Sequence, residues 1–326
     1  MLSTYHVGVS ERRAAWCVSW CRRIREGVSV NTSEFEEGVG RFAFVAGILE
    51  FVRPWLAPLY AFLATVPRDA VRRIPPYVVL ALRYLEHSFG STRLTPCGRD
   101  LRPVAGALRV DAHADEDSAG VGAWLPVFDD NGAIDKRASR WLSVQLTPSN
   151  AAWAFAKSGE TYRVIAAMEA FAILLGIKYL VPAADVEASF GSIVVVPALT
   201  DNQTNGRVLN KLMTTRFPLS AVVMELAEEM KGRGLIAEVV WAPRSTNEEA
   251  DALSRGVTDG FDAALRAEVD LTTTSWHIFD AALLWGQAFF DEYGHRKADV
   301  RQDRARPRRR GRKRPAEDRL KVRDPW

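Results

Sequence analysis

The stretch that decides the fold is Ser192–Asn202, SIVVVPALTDN. From Ser192 to Leu199 it is almost continuously apolar. A strand with one wet face alternates apolar and polar residues, whereas a run without alternation is expected of a strand buried on both faces. Asp201 ends this run. Ahead of it the sequence predicts three strands, Leu108–Ala112, Gly120–Phe128 and Ser139–Leu146, the last two joined by a hairpin turn in FDDNGA (128–133). A long apolar-faced helix follows over Thr161–Leu180. Behind it come helical segments at 203–215 and 219–231, a last strand over Leu235–Ala242, and a helix beginning in Asn247–Arg255. Three hairpin-linked strands, then strands separated by helices, predict an α/β fold over 105–245. Its five-stranded mixed sheet is flanked by helices, with the first three strands antiparallel and the last two parallel to the first.

Residues 10–92 read as helical, with Pro54 and Pro58 breaking an apolar helical pattern between Phe35 and Ala64. A Gly-, Ser-, Thr- and Pro-rich loop from Gly90 to Pro103 marks a domain boundary. The expected organisation is a small helical region at 1–95, the α/β domain at 105–260, a helical extension at 261–300 and a basic, disordered tail at 301–326.

The 326 residues carry a net charge of only +3, but residues 301–315 hold nine Lys or Arg against one Asp. The body is therefore mildly acidic and the tail strongly basic. That tail suits sequence-independent binding to nucleic acid, or a nuclear localisation signal. Three cysteines, Cys17, Cys21 and Cys97, are too few for a disulfide framework and point to a reducing, intracellular compartment, nuclear or cytoplasmic. Cys17 and Cys21, four apart, read as packed thiols rather than half of a zinc site. No signal peptide is expected, and no apolar stretch reads as a membrane span.

Four carboxylates stand in unusual places. Asp111 is expected at the end of the first strand and Asp201 at the end of the buried one. Glu169 lies on an apolar helix face, with Ile165, Ala172 and Ile173 as its neighbours. Asp251 lies in the first turns of a helix where Thr246 and Glu249 have capping-box spacing. Singly, the three aspartates read equally well as turn-formers, caps or helix-N-terminal acids. A charged Glu169 needs a cation or donor to meet it, which a salt bridge would also supply. Together, converging at one sheet end, four carboxylates would repel each other without metal. All-oxygen ligands suit Mg2+ or Mn2+, and two such ions serve phosphodiester cleavage.

The segments VDAHADEDSAGVGAWL (110–125), VIAAMEAFAILLG (164–176), VVPALTDNQTNGRVLNKL (195–212) and VVWAPRSTNEEADALSR (239–255) resemble the four signature blocks of retroelement-type ribonuclease H domains. The resemblance implies an acidic tetrad at Asp111, Glu169, Asp201 and Asp251 that holds two divalent ions and hydrolyses the RNA strand of an RNA–DNA hybrid. Two departures stand out: the APRSTNEE loop lacks the histidine some members carry, and His113 replaces a small residue. GRFAFVAGILEFVRPWLAPLYAFL (40–63) is similar to the thumb segment of retroelement reverse transcriptases. No Tyr-x-Asp-Asp turn is present, so the resemblance implies thumb plus ribonuclease H, with any polymerase palm a separate partner.

Residues that could meet a sugar-phosphate backbone are Asn202, Gln203, Thr204 and Asn205 after Asp201, Arg207 and Lys211 on one helix face, and Asn247. Capping by Asn202 or Thr204, and a solvated Arg207–Lys211 face, are the plain alternatives. The competing functional readings are a folded but inactive nucleic-acid-binding remnant, and another nuclease of the same broad fold.

Overall fold

The computed structural model describes residues 5–91, 93–100, 106–116, 118–157, 159–182 and 192–294. The basic tail at 301–326 and the last residues of the 261–300 extension lie outside them. Two compact units result, one formed by Tyr5 with 96–283 and the other by 6–95 with 284–294.

The second of these is mostly helical. Its helices are α1 (Glu11–Glu26), α2 (Thr32–Ala46), α3 (Leu56–Leu63) and α4 (Pro76–Ser91), interspersed with short strands β1 (His6–Gly8), β2 (Ser29–Asn31), β3 (Val71–Arg73) and β4 (Leu94–Pro96). Pro54 sits in a 3-10 turn, Glu50–Trp55, that separates α2 from α3. Pro58 is in the first turn of α3, where its missing N–H loses no intrahelical bond. Trp55 and Leu56 are buried, and Trp55 stacks on Tyr84 with ring centroids 3.5 Å apart. Cys17 and Cys21 are buried on one face of α1 as unbonded thiols, and burial pushes Cys17 up to about 12.

The other unit is built on one sheet. Its strands are β5 (Arg99–Asp100), β6 (Leu108–Ala114), β7 (Ala119–Phe128), β8 (Ile134–Leu146), β9 (Ile193–Thr200) and β10 (Leu235–Trp241). Its helices are α5 (Ile165–Leu180), α6 (Gln203–Lys211), α7 (Leu219–Arg233) and α8 (Glu248–Ser254), followed by α9 (Phe279–Tyr293), whose residues from Leu284 onward fall in the helical unit. The five main strands run in the order β10-β9-β6-β7-β8. β7 is antiparallel to β6 and β8, while β9 is parallel to both β6 and β10. This is the mixed sheet that the hydrophobic pattern predicts. The short β5 adds to β9 through Arg99↔Ile193 inside the segment read as a boundary loop, where two paired residues are too few to leave a period.

β9 lies between β6 and β10 with Ile193, Val194, Val195, Val196 and Ala198 all buried, so both of its faces are covered. At the β7–β8 connection Asp129 Oδ1 accepts from Asn131 and Ala133 N–H, and Gly132 takes φ +78°, a left-handed turn position that glycine fills without strain. Between β9 and α7, the side chain of Asn210 bonds both ways to the backbone of Val239, donating to its carbonyl and accepting its N–H, each at 2.8 Å.

Two local readings are corrected. Asp111 is not at a strand end: β6 runs on to Ala114, and Asp111 pairs with Gly122 mid-strand. The extra residues, His113 and Ala114, are too few to show a period, and their place is dictated by the β7 ladder. The Thr246–Glu249 capping box does not form. Thr246 closes a 3-10 turn with its hydroxyl donating to Pro243 O, Asn247 is the cap position but its side chain makes no capping bond to the helix, and Glu249 pairs with Lys136 at 2.7 Å.

Candidate active site

The site starts from β6 and β9. Their pairing sets Leu108 against Ala198 and Arg109 against Leu199, and the same register continued brings Asp111 level with Asp201. Asp111 is only 5% exposed. Its one described hydrogen-bond donor is the Ser254 hydroxyl, 3.3 Å from Oδ2. Burial, then the charges of Asp201, Glu169 and Asp251, push its carboxyl up to about 8, against the pull of Ser254. The carboxylate is short of positive charge.

Glu169 projects from the middle of α5, also 5% exposed. Its Oε2 accepts from Thr200 Oγ1 at 2.8 Å, and its Oε1 from Asn202 Nδ2 at 3.1 Å. Asn205 Nδ2 adds a long contact of 3.5 Å. Burial raises its carboxyl to about 7, with Asp201 adding to the rise and the hydrogen bonds opposing it. Thr200 and Asn202 flank Asp201, so the bonds that hold Glu169 also hold it to the end of β9. Asn202 caps α6 as well, its Oδ1 accepting from Thr204 and Asn205 N–H.

α8 brings Asp251. It packs on β7 at two glycines: a Cβ on Gly122 would lie 2.4 Å from Ser254 N and 2.6 Å from Ala250 O, and one on Gly120 would lie 2.2 Å from Ser254 O. Asn247 ties the start of α8 to the Asp111 strand, donating to Val110 O at 2.8 Å. Asp251 itself is met by cations. Arg244 Nη2 bonds its Oδ1, and Arg255 Nε lies 3.3 Å from Oδ2. Burial acts to raise its carboxyl, but Arg255 and Arg244 outweigh it and hold Asp251 below the ordinary range.

The four acids thus act on one another electrostatically, yet they are not a ready-made ligand set. Among the described residues no three Asp, Glu, His or Cys side chains are close enough to share an ion as they stand. Glu169 is turned to its amides and Asp251 to its arginines. The donors nevertheless fit a hard divalent cation in kind: they are carboxylate oxygens, and Asp111 has no cation of its own.

No protein-family model matches the chain, and no curated protein matches it. Among solved structures, two that share a likeness are ribonuclease H proteins. Ribonuclease H1 of the halophilic archaeon Halobacterium salinarum NRC-1 is 19% identical, with 50% of this chain and 98% of that one covered, at a TM-score of 0.29. The N-terminal RNase H domain of rv2228c from Mycobacterium tuberculosis, as a maltose-binding-protein fusion, is 15% identical over 47% and 92%, also at 0.29. At these scores the fold rests on the sheet order above.

The residues expected at a nucleic-acid backbone divide. Asn205 and Asn247 are turned inward, at 0% and 2% exposure. Asn202 is taken up by its cap and Glu169. Gln203, Thr204, Arg207 and Lys211 are exposed. Gln203, Thr204 and Arg207 line a pocket of about 480 Å3 together with Arg163, Thr214 and Arg216, and no acidic side chain lines it. Sequence reasoning passed over Arg163 and Arg216, which only the fold brings beside Arg207. It also gave Arg244 and Arg255, both inside the 239–255 block, no role as partners of Asp251. The i,i+4 spacing of Asp251 and Arg255 is a legible signal, whereas Arg244 reaches Asp251 across a turn that no periodicity reveals. His113, on β6, is buried with its Nδ1 unpartnered.

Proposed function

We propose that this chain is a divalent-metal-dependent nuclease of the ribonuclease H type that hydrolyses the RNA strand of RNA–DNA hybrids. The observation that carries the reading is the pair Asp111 and Asp201, level with each other on β6 and at the end of β9, with Glu169 fastened beside them by Thr200 and Asn202. Asp111, Asp201 and Glu169 would hold one Mg2+ or Mn2+, and Asp251 with Asp111 a second. When bound, such ions activate the attacking water and stabilise the leaving oxygen. The chain's own residues do the rest. Thr200 and Asn202 orient Glu169. Ser254 orients Asp111. The arginine-lined pocket beside α5 offers backbone phosphates a cationic seat, with Gln203 and Thr204 at the start of α6 adding polar contacts.

The same reading takes residues 40–63 as a thumb-like segment of a reverse transcriptase whose palm would be a separate partner; it rests on the sequence resemblance of that segment alone. One observation favours a second reading, a nucleic-acid-binding remnant that does not cut: Asp251 is already neutralised by two arginines. A hybrid-cleavage assay separates the two. Cleavage of the RNA strand that requires Mg2+ or Mn2+ and is lost in Asp201→Asn supports the nuclease. Binding of hybrid with no cleavage in either metal leaves the remnant.

A further inference from the structure

Positive charge is distributed unevenly over the four carboxylates. Asp251 has two guanidiniums, one from each side. Arg244 comes from the 3-10 turn ahead of α8, and Arg255 from the residue after its last turn. Among the described residues Asp111 accepts a hydrogen bond only from the Ser254 hydroxyl, and Arg244 acts on it through space alone. The two arginines also differ. Arg255 lies one helical turn from Asp251 on the same helix, so it stays nearby whatever the carboxylate does, and its contacts are long, at 3.3 and 3.4 Å. The Arg244 side chain is 64% exposed and meets Asp251 from outside its helix. Its exposure leaves it free to swing into solvent, because leaving an ion pair for water forfeits little at the surface.

We infer that Arg244 is a latch on Asp251: the carboxylate becomes a ligand for the second divalent ion only after Arg244 has let it go, so Arg244 sets that ion's affinity. The inference rests on the metal-dependent reading above and adds an order to it. The Asp111–Asp201–Glu169 side, where none of the described ion pairs holds a carboxylate, fills first. The Asp251 side fills later and more weakly, because its ligand must first exchange one cation for another. Arg244 acts through Asp251 and is a positioning residue.

The test is binding of Mn2+ to the full-length protein, followed by calorimetry and by the EPR signal of free Mn2+, with no substrate present. The wild type should bind in a stronger and a weaker step. Arg244→Gln should tighten the weaker step three- to tenfold and the stronger step distinctly less, since Arg244 acts on Asp111 and Asp201 only through space, while Arg244→Lys, which keeps the charge, should stay near wild type. A variant that gains a second step missing from the wild type would support the latch equally. A weaker step unmoved in Arg244→Gln overturns it. Equal tightening of both steps also overturns it, since that is the effect of removing any nearby positive charge. If neither protein binds Mn2+ at all, the metal-dependent reading falls and the latch falls with it. If both bind identically in two steps, only the latch falls.

Discussion

Glu169 and Glu225 are both buried helix carboxylates, 5% and 0% exposed, and each interrupts a local apolar run, AAMEAFA and AVVMELA. Their partners differ. Glu225 accepts the backbone N–H groups of His277, Ile278 and Phe279 at 2.7–2.9 Å, an anion seated where α9 begins. Glu169 is met by side chains next to another acid. A buried glutamate in a sequence therefore announces that something must answer its charge, but not whether the answer is a helix or a ligand. Glu225→Gln should lower stability by about 1–3 kcal/mol in denaturant melts, with cleavage per folded molecule unchanged. Glu169→Gln should leave the melt nearly unmoved and lower hybrid cleavage by about two orders of magnitude or more. Asp111 gives a pH signature. Its folded carboxyl titrates at about 8, above the ordinary value of 3.8, so between those values the folded chain holds the proton more tightly than the unfolded one. Stability from this group is full below about pH 4 and falls as pH rises towards 8. In EDTA, Asp111→Asn should therefore be increasingly stabilised over wild type from pH 5 to pH 8, with no further gain above that. A difference that is flat with pH would mean the carboxyl is not perturbed.

At the scale of elements, the legible parts were those whose pattern is local. The run at 192–199 gave β9 its two buried faces, and FDDNGA gave the β7–β8 turn. What was not legible was set by neighbours. Asp111 reads as a strand end because the residues after it soon turn into the acidic run Asp115–Asp117, and only pairing with β7 carries β6 on to Ala114. The start of α8 reads as a capping box, but Asn247 is drawn inward to Val110 and takes the helix start with it. Gly122 is the counterpart of that bond: without its bare Cα, α8 could not lie close enough for Ser254 to reach Asp111. Gly122→Val should destabilise the sheet unit by about 1–3 kcal/mol through overpacking. It should also impair cleavage beyond the loss of folded protein, measured by comparing urea midpoints with activity. Wild-type stability in that variant would show that α8 does not need the contact.

At the scale of the molecule, charge is organised along the chain rather than around it. The site is acidic, the pocket with Arg163, Arg207 and Arg216 is basic, and the sequence beyond residue 300 is more basic still. The composition made the tail legible, while the pocket depends on residues from three segments that the fold assembles. These two cationic regions predict different defects. Deleting 301–326 should weaken hybrid binding and flatten its salt dependence, since fewer counterions are released, without changing Mn2+ binding. Arg207→Glu should also weaken binding, and in addition lower cleavage at saturating hybrid, because a strand seated differently presents its phosphates differently to the carboxylates. Filter binding across a salt series, with parallel cleavage rates, distinguishes them.

The paired bonds of Asn210 to Val239 have a consequence for how copies of this protein meet. Among the described residues β10 is the last strand of its sheet, and its outer backbone is an adhesive edge on which another strand could continue the ladder. Asn210 occupies the donor and acceptor of Val239, and the Ala237 N–H is turned to Met230 Sδ at 3.1 Å, so the edge is quenched by the chain's own side chains. Asn210→Ala would bare it at little expense to the fold, about 1–2 kcal/mol for two lost bonds. The outcome to expect is concentration-dependent self-association and slow fibril-type aggregation, seen by light scattering and thioflavin fluorescence, in a protein whose melt is nearly normal.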